Sequence, residues 1–192
     1  MNLDFLKDKN AFQDCSIFLL HTNAHWYKPT TWLECRIQID SGYYNHSGTV
    51  IWDDFHQEWY VLESKWQVTY EPLKYYCNSK YLWDLFYETE PLTKFQQQDC
   101  EFALKKQIGE DYDTKSVLRI RWMQFWHSYE YIEELEPIIV DNGLWICSRL
   151  TLWGRQYCGR TLLCKDGKPL GRIATPTNIS QSPQLTKVFS YA

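Results

Sequence analysis

The sequence is poor in the features that announce a chemistry. Its 192 residues hold no phosphate-cradling G-x-x-x-x-G-K loop, no G-x-S-x-G elbow and no C-x-x-C pair. P-loop, serine-elbow and dithiol readings therefore have no motif behind them. No apolar run approaches the ~20 residues that cross a bilayer as a helix. Positive charge is in deficit: the net charge is −4 and the sequence pI about 5.7. That balance speaks against a nucleic-acid partner held by counterion release, which needs a basic face. The opening stretch "MNLDFLKDKNAF" carries an early acid and no apolar h-region, so no secretory signal is expected.

Aromatic residues are abundant at 17%, with 10 Trp and 14 Tyr, a load that suits a thick β core or a ring-lined cavity. A chain of this length reads as a single domain over residues 1–192. The cysteines are Cys15, Cys35, Cys77, Cys100, Cys147, Cys158 and Cys164. An odd count with wide spacing points to free thiols in a reducing, cytoplasmic setting.

Along the chain, residues 1–14 read as an N-terminal helix with Leu3, Phe5, Leu6 and Phe12 on its apolar stripe. "CSIFLLHT" either extends it or forms a strand. From residue 31 the period changes to two: Leu33, Cys35, Ile37 and Ile39 alternate with polar neighbours, and "TVIWDD" and "EWYVLESKWQVTYEP" follow as strands. Between about 80 and 108 the apolar spacing nears 3.6, predicting a helical insert that ends at Gly109. After it, strands are expected over 116–131, 144–153 and 156–165, with tight turns at Trp153-Gly154 and Asp166-Gly167. Residues 176–192 read as a loop-like tail. The fold class is α+β and mainly antiparallel β, either a calycin-like barrel or an open antiparallel sheet carrying the helical insert.

One stretch stands out, "SVLRIRWMQFWHSYEY". In strand geometry Arg119 and Arg121 share a face with Phe125, His127 and Tyr129, while Trp122 and Trp126 lie on the other. Fixed positive charge beside rings suits a pocket for a carboxylate, which a guanidinium grips with its planar fork. Arg149 and Tyr157, on the expected hairpin, are candidates for the same wall. The expected ligand-binding set is thus Arg119, Arg121, Trp122, Trp126, Tyr129, Arg149 and Tyr157. The competing reading pairs these arginines with glutamates or rings on a structural surface.

Other constellations are weaker. His46 and His56 flank Asp53-Asp54 and read as a solvated loop rather than a metal site. Glu34 and Glu63, in apparent strands, are possible inward general acids with nothing to select between them. No cysteine sits in a recognisable nucleophile context, so the thiols read as small core residues. "PLTKFQQQ" (91–98) and "GRTLLCKDGKPLGR" (159–172) resemble segments of bacterial chorismate lyases. The resemblance implies an antiparallel sheet holding an aryl carboxylate; the segment spacing differs, and no catalytic residue is carried over. The leading expectation is a soluble binding protein, lyase or carrier for a small anionic ligand, without metal or cofactor. The alternatives are a protein-interaction module of inhibitor or immunity type, and an enzyme acting on a small carboxylate without a recognisable motif.

Overall fold

The computed structural model describes residues 3–22, 44–115, 143–171 and 174–191. Its centre is a six-stranded antiparallel sheet built from β1 (Ser16–Thr22), β2 (His46–Asp53), β3 (Glu58–Ser64), β4 (Val68–Pro72), β5 (Tyr81–Glu88) and β8 (Leu185–Tyr191), in the order β4-β3-β2-β1-β5-β8. The edge strands β4 and β8 do not meet, so of the two expected architectures the open sheet is the one formed. Two short strands, β6 (Asp111–Tyr112) and β7 (Leu144–Trp145), pair in parallel beside it.

Both faces of the sheet are covered, which explains why all eight residues of β2 are buried. On one face Ile17, Leu19, Ile51 and Leu62 pack against α1 (Lys94–Lys105), α2 (Cys147–Tyr157) and α3 (Pro176–Ser180) through Cys100, Leu104, Leu150, Leu152 and Ile179. On the other, Phe18, Leu20, Val50, Val61 and Trp59 meet Leu6, Phe12, Leu73 and Tyr76. Much of the aromatic load sits in this second layer as ring-on-ring packing: Phe12 on Trp59 at 5.5 Å, Phe18 on Trp83 at 5.5 Å, and Trp83 stacked on Phe189 at 5.2 Å. These rings fill a core, one of the two expected uses of the aromatic load; Trp122, Trp126 and Tyr129, expected to wall a cavity, lie outside the described residues.

Several expected elements differ. The N-terminal helix is a short 3-10 turn, Asp4–Lys7, and "SIFLLHT" is strand β1. The long strand 58–72 is two strands, β3 and β4, joined at Lys65–Gln67 and paired in register Ser64↔Val68. The helical insert begins only at Lys94, where Thr93 and Gln96 form a capping box; Tyr81–Glu88 is strand β5. The tail carries α3 and β8 rather than loop. The Asp166-Gly167 turn forms as expected, with Gly167 at φ +83° and Leu163 bridged to Pro169. Residues 31–43 and 116–131, read as strands, lie outside the described residues.

The largest change is at 147–157, expected as a hairpin and found as helix α2. Its supposed turn residue Gly154 is a helix–helix contact. A Cβ there would lie 2.9 Å from Leu104 Cδ1, and Leu104 is fully buried. Gly154→Val is expected to destabilise by about 1–3 kcal/mol through overpacking. A lowered urea midpoint at unchanged slope would register it; an unchanged midpoint would mean that α1 and α2 do not approach this closely.

Candidate active site

The first residue of α2 is Cys147, capped by extended Ile146. A helix start leaves its leading N–H groups without intrahelical acceptors and concentrates positive potential there. Three side chains fix this turn in place. Thr151 donates to the Cys147 carbonyl at 3.1 Å and lies 3.3 Å from Ser47 Oγ on β2. Ser64 on β3 donates to the Trp145 carbonyl at 2.9 Å. Arg149, buried, pairs with buried Asp113 at 2.8 Å and donates to the Leu144 carbonyl at 3.3 Å.

Fixing the turn sets Cys147 beside His46, the first residue of β2, close enough for the sulfur to act on the charge of the imidazole. His46 Nε2 in turn lies 2.6 Å from Glu63 Oε2 on β3. The local sequence explains this second contact. Glu63 stands directly across from Gly48 in the β2–β3 register, and residues two apart share a face, so His46 and Glu63 are diagonal neighbours. A Cβ at Gly48 would meet Val61 Cγ1 at 2.8 Å and Glu63 Cβ at 3.2 Å. The missing side chain is what lets Glu63 lie along the sheet toward the histidine.

Electrostatics follow from the burial of all three groups, with His46 and Cys147 each 8% exposed and Glu63 fully buried. Burial alone would strip the proton from His46. The neighbouring Cys147 sulfur and the Glu63 carboxylate outweigh that and raise His46 to about 10. Burial pushes Glu63 upward, but the imidazolium, and after it Lys65, hold it below the usual carboxylate range. The second oxygen of Glu63 accepts from Lys65 Nζ at 2.6 Å and from the Tyr76 hydroxyl. The result is a chain of thiol, imidazole and carboxylate at a helix start, the arrangement that activates a cysteine nucleophile on unrelated folds.

The residues expected from sequence fall elsewhere. Arg119, Arg121, Trp122, Trp126 and Tyr129 lie outside the described residues. Arg149 is engaged by Asp113. Tyr157 is 47% exposed at the far end of α2 against Trp153, about 12 Å along the helix axis at 1.5 Å per residue, so these two do not meet in one wall. The described residues do border a cavity of about 250 Å³ with Trp66 and Tyr112 in its lining; Asp111 and Asp113 face it with Lys115, giving more negative than positive charge. His46, which the sequence places in a loop, and Cys147, which it places in the core, instead form the candidate site with Glu63. Glu63 was in view as an inward acid. Among the described residues no group of three His, Cys, Asp or Glu side chains is arranged to hold a metal ion, and the six described cysteines are unbridged. No described helix is long and apolar enough to cross a membrane.

No protein-family model matches the chain, and no curated protein does. Its fold is similar to that of the metalloprotein yiiX from Escherichia coli O157:H7, assigned to DUF1105. The TM-score is 0.60 at 16% identity, over 92% of this chain and 96% of that one. The likeness extends to the fold.

Proposed function

We propose that the chain is a thiol-dependent enzyme of acyl transfer or acyl hydrolysis, with Cys147 as nucleophile, His46 as general acid–base and Glu63 as the group that orients His46. The observation that carries this is the Cys147–His46–Glu63 chain at the start of α2. His46 takes the thiol proton, and the thiolate attacks the carbonyl carbon of an amide, ester or thioester. The oxyanion that forms meets the positive end of α2 at its first turn. The imidazolium then gives its proton to the leaving group, and water or another acceptor releases the acyl group from Cys147.

The substrate of such an enzyme is an anionic acyl compound. Arg119 and Arg121, set among rings in the segment that leads into β7, are suited to a carboxylate carried by the acyl compound. A thiol nucleophile fits a reducing compartment such as the cytoplasm. The metal in the name of the structural neighbour has no fitting donor set among the described residues here, and no step above runs through one.

Alkylation tests the reading. Iodoacetamide at pH 6–7 is expected to label Cys147 about tenfold or more faster than the more exposed Cys77 and Cys164, because the thiolate is the reacting species. His46→Gln should remove that preference. If peptide mapping finds Cys77 or Cys164 labelled first, or finds the His46→Gln rate unchanged, Cys147 is not the nucleophile.

A further inference from the structure

Glu63 has more partners than orienting a histidine requires. One oxygen is used by His46. The other receives Lys65 Nζ at 2.6 Å and the Tyr76 hydroxyl. Lys65 also reaches Glu71 Oε2 on β4 at 2.9 Å and stands 5.0 Å over the Tyr76 ring. Its side chain is about one-third exposed, whereas that of Glu63 is sealed from solvent. Among the described residues the ionisable groups around the pair are Cys147 from α2, His46 from β2, Lys65 from the β3–β4 connection, Glu71 from β4, Tyr76 from the 3-10 turn Leu73–Tyr76, and Tyr81 of β5 against the Tyr76 ring.

A buried carboxylate whose charge falls on the imidazolium alone would hold its proton too tightly. General acid catalysis works best when the acid titrates near the working pH. A cation on the other carboxylate oxygen counteracts this: it draws charge away from His46 and also fixes the carboxylate plane.

We propose that Lys65 is a positioning residue of this triad, acting through Glu63 to weaken the hold on the His46 proton, with Glu71 setting how much of the Lys65 charge reaches Glu63. This rests on the thiol-enzyme reading for its catalytic meaning, but the charge coupling itself does not. Lys65 touches neither the thiol nor the acyl group. Its removal leaves the imidazolium, the stronger of the two influences that hold the carboxylate charged, in place on Glu63. The sign is then set: without Lys65, His46 keeps its proton to higher pH. Removing the Glu71 charge leaves Lys65 to Glu63 alone, so His46 loses its proton at lower pH.

The test is an NMR titration of the His46 side chain in Cys147→Ala protein, with the resonance assigned by its loss in His46→Gln. Relative to that background, adding Lys65→Met is expected to raise the His46 midpoint by about half a pH unit or more, the usual direction when a like charge is removed nearby. Lys65→Arg should return it, and Glu71→Gln should lower it. A midpoint that stays put or falls in Lys65→Met overturns the inference, as does an upward move in Glu71→Gln. In the active protein, the alkaline limb of the hydrolysis profile should follow the same order. The alkylation map decides the nucleophile and the titration decides Lys65, so failure of one is distinguishable from failure of the other.

Discussion

Cys147→Ala is expected to lower kcat/KM for hydrolysis of a simple activated ester, such as p-nitrophenyl acetate, by about 10³-fold or more. Nucleophile and base act as one unit, so His46→Gln should cost a comparable factor, and the double variant little more than either single one. The reason lies in the geometry. The thiol lies beside the imidazole, and the imidazole is held by Glu63 at 2.6 Å, so removing either member leaves the other without a reaction to serve. Glu63→Gln should retain more activity than the other two, because it disturbs orientation and charge without removing a reacting group. Residual activity in Cys147→Ala within tenfold of the parent would end the nucleophile assignment. Fully additive losses in the double variant would show that His46 acts elsewhere.

The largest effect on stability is expected from Asp113→Ala. Arg149 is 1% exposed and Asp113 4%, and their 2.8 Å contact ties the first turn of α2 to the segment after β6. Breaking a buried pair from one side leaves a charge uncompensated in a dry interior and costs about 3–5 kcal/mol. Replacing both residues with apolar ones of similar volume, as in Asp113→Leu with Arg149→Met, should recover most of that loss. Urea denaturation of the two variants separates the cases. A loss under about 0.5 kcal/mol for Asp113→Ala would mark the pair as a surface-like contact. Because the same turn carries Cys147, the single variant should also slow the thiol's alkylation while the paired replacement restores it.

Some of this protein is decided by sequence alone. The strand-forming runs and the short polar turns between them determine an antiparallel α+β fold, because a strand that ends in a short polar turn pairs with the next one running back beside it. Thr93 and Gln96 start α1 by local hydrogen bonding, and Asp166-Gly167 makes its turn by backbone chemistry; neither needs a distant partner. Helix α2 is different. Arg149, Thr151 and Arg155 alternate with Leu150 and Leu152, which imitates a half-solvated strand. All three are in fact buried, held by Asp113, Glu88, backbone carbonyls and Ser47. A helix buried on nearly every side shows no apolar stripe, so its period is invisible until its partners are in place. The site was hidden for the same kind of reason. His46 and Glu63 stand 17 residues apart, and Cys147 lies far along the chain from both. Only the β2–β3 register, the gap left by Gly48 and the anchoring of α2 bring a thiol, an imidazole and a carboxylate into one line.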